Sequence, residues 1–176
     1  MVVSTSDPLR ALLDEAQEGD DRAVREFVRL TQPLVWRVCS VLGSVGEEED
    51  LVQETYLRAL RSASSYRGEA PVRAWLLSIA RHVCADHVRR RARHRRLAVR
   101  LASAALPDTT PGPEMAHDLL ATLLPDQREA FELTQVVGLS YEEAADTIGC
   151  PIGTVRSRVA RARLALLDTV RAADAV

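Results

Sequence analysis

The sequence contains no lysine; all 23 of its basic side chains are arginine, which with the abundant alanine points to a GC-rich genome. Aromatic residues are scarce, at 4%, so any core must be built from Leu, Val and Ala, a mixture suited to helical bundles. Cysteine is limited to Cys39, Cys84 and Cys150, odd in number and never spaced as CxxC. They read as small buried hydrophobes in a reducing compartment. His82, Cys84 and His87 lie close together, but no fourth ligand accompanies them, so neither a metal nor a cofactor is expected. No run approaches the roughly 18 apolar residues of a membrane span. Met1 to Leu9 lacks the basic-then-apolar pattern of a signal peptide, and the expectation is a cytoplasmic protein without membrane contact. A glycine-rich nucleotide loop, a GxSxG elbow and an HExxH pair are missing too, so neither an enzyme nor a small-molecule substrate is expected.

Charge is plentiful, and it is segregated. A net charge of −2 conceals ten Arg against two acids between Arg67 and Arg100, a balance of +8. From Leu101 to Cys150 nine carboxylates face only Arg128, a balance of −8, and from Pro151 the sign turns positive again. Two basic segments flanking an acidic one imply two separate contacts with a polyanion.

The hydrophobic pattern is helical nearly throughout. Leu9, Leu12, Leu13 and Ala16 form a first short stripe ended by Gly19. Asp20 and Asp21 can cap a second helix that carries Val24, Phe27, Val28, Leu30, Leu34, Val35 and Val38 to about Leu42. After the Gly43–Gly46 break, Glu47 to Asp50 supply the negative charge that favours a helix start, followed by Leu51, Leu57 and Leu60. Ser62 to Pro71 is a loop. Val72, Leu76, Ile79 and Val83 then mark the core stripe of a long helix from about Val72 to Arg96, which ends in the run RRRARHRR. Pro107, Pro111, Gly112 and Pro113 cluster in a stretch without periodicity, the best domain boundary in the chain. Helices are expected beyond it over about Ala116 to Leu124 and Asp126 to Val137. No strand pattern or internal repeat is present, and the fold class is all-α: two small helical domains joined by a flexible linker.

The C-terminal third carries the sharpest local signal. Ser140-Tyr141-Glu142-Glu143 is a capping box leading a short helix with Ala144, Ala145 and Ile148 on its packed face. Gly149 and Cys150 turn the chain, and Pro151 suits the first position of the next helix. Short helix, tight turn and longer helix is the arrangement that lays a second helix in the DNA major groove. At about 100° per residue, Val155, Val159, Ala162 and Leu166 fall on one side of that helix. Gly153, Thr154, Ser157, Ala160, Arg161 and Leu164 fall opposite, with Arg156 and Arg158 on the flanks. Small and hydroxyl residues permit close approach to base edges, and Arg supplies guanine or phosphate contacts.

Three motifs in this order, DLVQETYLRAL (Asp50 to Leu60), WLLSIARHVCADHVRR (Trp75 to Arg90) and LSYEEAADTIGCPIGTVRSRVARAR (Leu139 to Arg163), resemble the extracytoplasmic-function class of the sigma-70 family, in an actinobacterial-looking form. The resemblance implies sigma region 2 over residues 7–96, a linker over 97–115 and sigma region 4 over 116–171. It implies core RNA polymerase as partner, through the beta-prime clamp helices and the beta flap, together with promoter DNA. It also admits an anti-sigma factor. Polymerase docking would fall to Asp50, Leu51, Gln53, Glu54 and Leu57. The −10 element would be read and opened by Tyr66, Arg67, Arg73, Trp75, Arg81, His82, Arg89 and Arg90, and the −35 element by Gly153, Thr154, Arg156, Ser157, Arg158 and Arg161. Strand opening requires a bare base held in a pocket with cations along the backbone. Trp75 adjoins the core stripe and so can be structural instead. His82 stands where the family commonly has Asn, which bears on the −10 base preference. A transcription regulator with an output helix-turn-helix is the rival reading, but it requires a sensor domain, dimer interface or phosphoacceptor that the sequence does not display.

Overall fold

The computed structural model describes residues 7–101 and 119–174. The expected linker, apart from its first residues, and the start of the helix expected from Ala116 lie outside the described residues. Helices and their caps account for all regular structure among the described residues. Helix α1 (Pro8–Gln17) begins where Asp7 accepts the Leu9 N–H at 3.0 Å, with Pro8 in the first turn. Helix α2 (Asp21–Leu42) is capped by Asp20, whose carboxylate accepts the N–H groups of Arg22 and Ala23. Helix α3 (Glu48–Ser62) starts among Glu48, Glu49 and Asp50 without a side-chain cap, and the dipole interaction stands in for one. Helix α4 spans Val72–Leu101 and so continues past Arg96.

These four helices close around Phe27, Val35, Val38, Leu51, Val72, Leu76, Leu77 and Val83. On α2 the buried arc is Ala23, Phe27, Thr31, Val35, Val38 and Cys39, and the expected core residue Leu30 is 45% exposed because it lies about 100° from the centre of that arc. On α3 the core face is Leu51, Val52, Thr55, Tyr56 and Ala59, which leaves Leu57 and Leu60 outside. A buried hydrogen bond of 2.8 Å joins Thr31 Oγ1 to Tyr56 Oη and locks α2 to α3. Burial pushes the Tyr56 phenol up to about 12, despite that bond. Cys39 and Cys84, far apart in sequence, meet in this core, and their mutual hydrogen bond and burial hold the Cys84 thiol protonated. Gly43 is required for space: a Cβ there would lie 2.4 Å from both the Cys39 carbonyl oxygen and Leu51 Cδ1.

In the second half, a helical turn at 119–121 precedes α5 (Pro125–Phe131). The expected continuation to Val137 is a π-helical turn, Glu132–Val136, closed by Val137 N–H to the Glu132 carbonyl at 2.9 Å. Helix α6 (Tyr141–Ile148) has both bonds of the capping box: Ser140 N–H to Glu143 at 2.9 Å and Glu143 N–H to Ser140 Oγ at 3.1 Å. Gly149 ends it with φ of +79°, the left-handed conformation that glycine adopts without penalty. Helix α7 (Ile152–Asp174) follows, and Pro151 takes the position before it, accepting the Thr154 N–H on its carbonyl. The apolar cores of the two halves are continuous, with α4 packed on α6 and α2 against the π turn. No helix among the described residues is long and apolar enough to cross a membrane.

Candidate nucleic-acid interface

The angular sorting of α7 holds at its core positions: Val155, Val159 and Ala162 are buried, and Leu166 is half-buried. Gly153, Arg156 and Arg161 are exposed, and Thr154 and Ser157 are half-exposed. Ser157 Oγ donates back to the Thr154 carbonyl at 2.9 Å, and Arg161 donates to Ser157 Oγ at 3.3 Å, so the three form one short polar ridge. Arg158 departs from that ridge. Its guanidinium turns back to Asp126 at the start of α5 and is 22% exposed, an anchor of α7 on its own domain. Arg163 is held by Gln135 at 2.7 Å in the same manner. The exposed ridge therefore centres on Arg156, Ser157 and Arg161.

In the first half, the structure divides the residues expected at the −10 element. Tyr66 and Trp75 stack at 5.1 Å between ring centroids, tilted by 43°, beside a cleft of about 250 Å³ that Arg67, Ser78 and Asp146 also line. Trp75 is half-buried, its ring at once part of the packing and part of the cleft wall. Tyr66 donates its hydroxyl to the Ala70 carbonyl, and the Arg10 guanidinium lies 4.9 Å over its ring. Burial raises the Tyr66 phenol above its ordinary value. Arg73 and Arg81 lie where the two halves meet. Arg81 Nε is 2.9 Å from Glu129 Oε1, without the alignment of a hydrogen bond, and Arg81 Nη1 is 3.1 Å from His82 Nε2. Arg73 Nη1 is 3.7 Å from Glu143 Oε1. His82 and Cys84 point apart, one exposed and one fully buried.

Arg89 and Arg90 sit elsewhere. Arg89 pairs with Asp86 at 2.6 Å, and Asp86 also accepts from Arg58 at 3.0 Å, so the two cations hold its carboxyl below the ordinary range. Arg90 lines a groove of about 430 Å³ between α3 and α4, with Asp50, Gln53, Glu54, Leu57, Val83 and His87. Asp50 and Gln53 are exposed there, Leu57 is 43% exposed, and Glu54 is tied to Arg58 at 2.7 Å. Leu51 lines the floor of the same groove. It is 3% exposed, because the helical step that turns Asp50 outward turns Leu51 into the core.

Sequence reasoning missed Glu129 and Glu143, which face Arg81 and Arg73 across the junction, and Asp146, which lines the cleft beside Tyr66. Their signal in the sequence is the −8 block that follows the +8 block.

Family models match both halves: "Sigma-70 region 2" over residues 27–94 and "Sigma-70, region 4" over residues 114–166. A probable RNA polymerase sigma-C factor of Mycobacterium bovis is 44% identical, over 93% of this chain and 92% of its own length. The ECF RNA polymerase sigma-E factor of Haemophilus influenzae is 33% identical over 88% and 90%. Among solved structures, the sigma factor RpoE of Bartonella quintana, in complex with the anti-sigma factor NepR, matches with TM-score 0.64 and 31% identity over 84% of this chain and 96% of that one. CnrH, in complex with the cytosolic domain of CnrY, matches with TM-score 0.70 and 28% identity, over 94% and 99%.

Proposed function

The chain belongs to the sigma-70 family, as an extracytoplasmic-function sigma factor directing promoter-specific initiation by RNA polymerase, and from that premise we propose how its residues divide the work. Residues 7–96 act as region 2, 97–115 as linker and 116–171 as region 4. Region 4 reads the −35 element through the Gly153–Arg161 face of α7. The observation that carries this is the polar ridge of Thr154, Ser157 and Arg161, opposite buried Val155, Val159 and Ala162. Arg158 contributes by fixing α7 on α5.

Region 2 captures the melted −10 strand at the Tyr66–Trp75 cleft, with Arg67, Arg73 and Arg81 along the backbone and His82 beside them. Stacking on an aromatic side chain holds an unpaired base for about 1–3 kcal/mol. The α3 surface of Asp50, Leu51, Gln53, Glu54 and Leu57 docks on the beta-prime clamp helices, with Arg90 lining the same groove and continuing with Arg89 towards the −10 strand. Region 4 meets the beta flap. The chain works in the cytoplasm, and phosphoryl transfer and its metal belong to the polymerase. By similarity to the relative solved with its anti-sigma factor, such a protein also restrains this chain, with outward Leu164, 62% exposed, as an apolar handle.

Run-off transcription with core polymerase on a promoter library tests this division. Variants of the α7 ridge should alter −35 preference, and variants of the Tyr66–Trp75 cleft should impair opening while leaving −35 preference intact. Promoter preferences indifferent to both sets would refute it.

A further inference from the structure

We propose that Cys39 and Cys84 form a peroxide-responsive dithiol inside region 2, with Cys39 as the nucleophile and Cys84 as the thiol that closes the disulfide. Cys150, in the turn of the helix-turn-helix, takes no part.

Packing of α2 on α4 brings the two side chains together in the core, where neither has any exposed surface. One turn before Cys84, Ala80 is equally buried, and side chains this small at a helix crossing let the backbones approach. Close approach is what a disulfide needs, since its two Cβ atoms lie about 4 Å apart. A lone buried thiol is inert, because burial disfavours its thiolate. This pair differs. Cys84 donates its S–H to Cys39, and that bond holds the Cys39 thiol below its ordinary value against the opposing effect of burial. The same bond and burial raise Cys84, which stays protonated. One sulfur is thus prepared as nucleophile, with its neighbour in reserve.

A path to solvent lies beside Cys39. It sits in the last turn of α2, where its carbonyl accepts the Gly43 N–H at 2.9 Å. Beyond Gly43 the chain turns through Ser44, Val45 and Gly46, and Val45 is 81% exposed. Helix ends open locally at far lower free energy than the whole fold. Unwinding that turn uncovers Cys39 and leaves Cys84, in the middle of α4, in place. Hydrogen peroxide is little larger than water and needs no wider opening.

The chemistry balances with a peroxide as the oxidant. The Cys39 thiolate attacks one oxygen of hydrogen peroxide, the O–O bond breaks, and the departing hydroxide takes up the proton that Cys39 released, giving water. Cys39 is then a sulfenic acid. The Cys84 sulfur attacks the Cys39 sulfur, the S–O bond breaks, and the departing hydroxide takes the Cys84 proton as a second water. The two thiols have lost two electrons, and the peroxide has gained them. In a reducing compartment such a bond is transient and suited to sensing, because cellular thiols reverse it.

The test uses the full chain with Cys150→Ser, so that only Cys39 and Cys84 remain as thiols. The reduced protein is treated with hydrogen peroxide in native buffer, then denatured, alkylated and analysed by non-reducing peptide mass spectrometry. Most chains should carry a Cys39–Cys84 bond within one molecule, and dithiothreitol should restore both thiols. Recovery of both cysteines as free thiols, or joined only between molecules, overturns the proposal. So does a bond that forms in urea and not in native buffer. Two further variants in the same background test the order of attack. Cys84→Ser retains a hydroxyl donor beside Cys39, so dimedone, which traps sulfenic acids, should label Cys39 there about tenfold or more faster than it labels Cys84 in Cys39→Ser. The reverse ranking overturns the assignment of Cys39 as nucleophile. The crosslink closes a long loop between α2 and α4, so the oxidised chain should melt about 10 °C higher than the reduced one. A lower melting temperature would mean that the bond forms by breaking the core, and it would overturn the native pairing.

Discussion

Arg161→Ala set against Val159→Asp separates reading from folding on a single helix. Arg161 is exposed, and its contact within the domain is one 3.3 Å hydrogen bond to Ser157 Oγ. Truncating it should cost the fold no more than about 0.5 kcal/mol, the range of surface substitutions. If it touches a base edge in the holoenzyme, its loss costs about 1–3 kcal/mol of discrimination, or roughly 5- to 150-fold. Val159 is 1% exposed beneath that ridge. An aspartate there buries a carboxylate with no partner and removes a packed side chain, a combination expected to exceed about 4 kcal/mol and unfold region 4. The assay is run-off transcription with core polymerase on a series of −35 point mutants at two salt concentrations, alongside thermal melts of each variant. A base contact reorders the promoters, whereas a phosphate contact weakens all of them and reduces the salt slope by about one. Activity and −35 preference both unchanged when Thr154, Arg156, Ser157, Arg158 and Arg161 all become Ala would show that α7 is not the reader.

Three further outcomes follow from named contacts. Asp50→Arg with Glu54→Arg should weaken co-purification with core polymerase, and full-strength binding by the folded double variant would remove the docking assignment; Asp50→Arg alone is the cleaner probe, because Glu54 also pairs with Arg58. Gly43→Ala should destabilise region 2 by about 1–3 kcal/mol in urea unfolding, since its Cβ would lie 2.4 Å from the Cys39 carbonyl oxygen; native stability would mean that the α2–α3 corner can relax. The Tyr56 phenol ionises near 12 when folded and near 10 when unfolded, so the chain should lose stability as pH rises from about 10 towards 12. Tyr56→Phe should remove that share of the loss, and a constant stability difference between the two proteins from pH 9 to 11.5 would contradict the buried environment.

The helices and the helix-turn-helix were legible in the sequence because their causes are local. Asp20 before α2, the Ser140–Glu143 box and Gly149 act through groups within a few residues, and the 3.6-residue period names Val155 and Val159 as core without reference to any partner. What lies opposite a helix has no local cause. Leu30 and Leu57 fit a helical stripe yet are exposed, Cys39 and Cys84 meet across two helices, and Arg158 spends its charge on Asp126 rather than on the outward face. The same limit separates charge from its destination. The sequence by itself determined that a basic block precedes an acidic one, since that needs only counting. Only the tertiary structure decided that Arg81 faces Glu129 and Arg73 faces Glu143, because a Coulomb interaction depends on a distance through space that chain separation does not set.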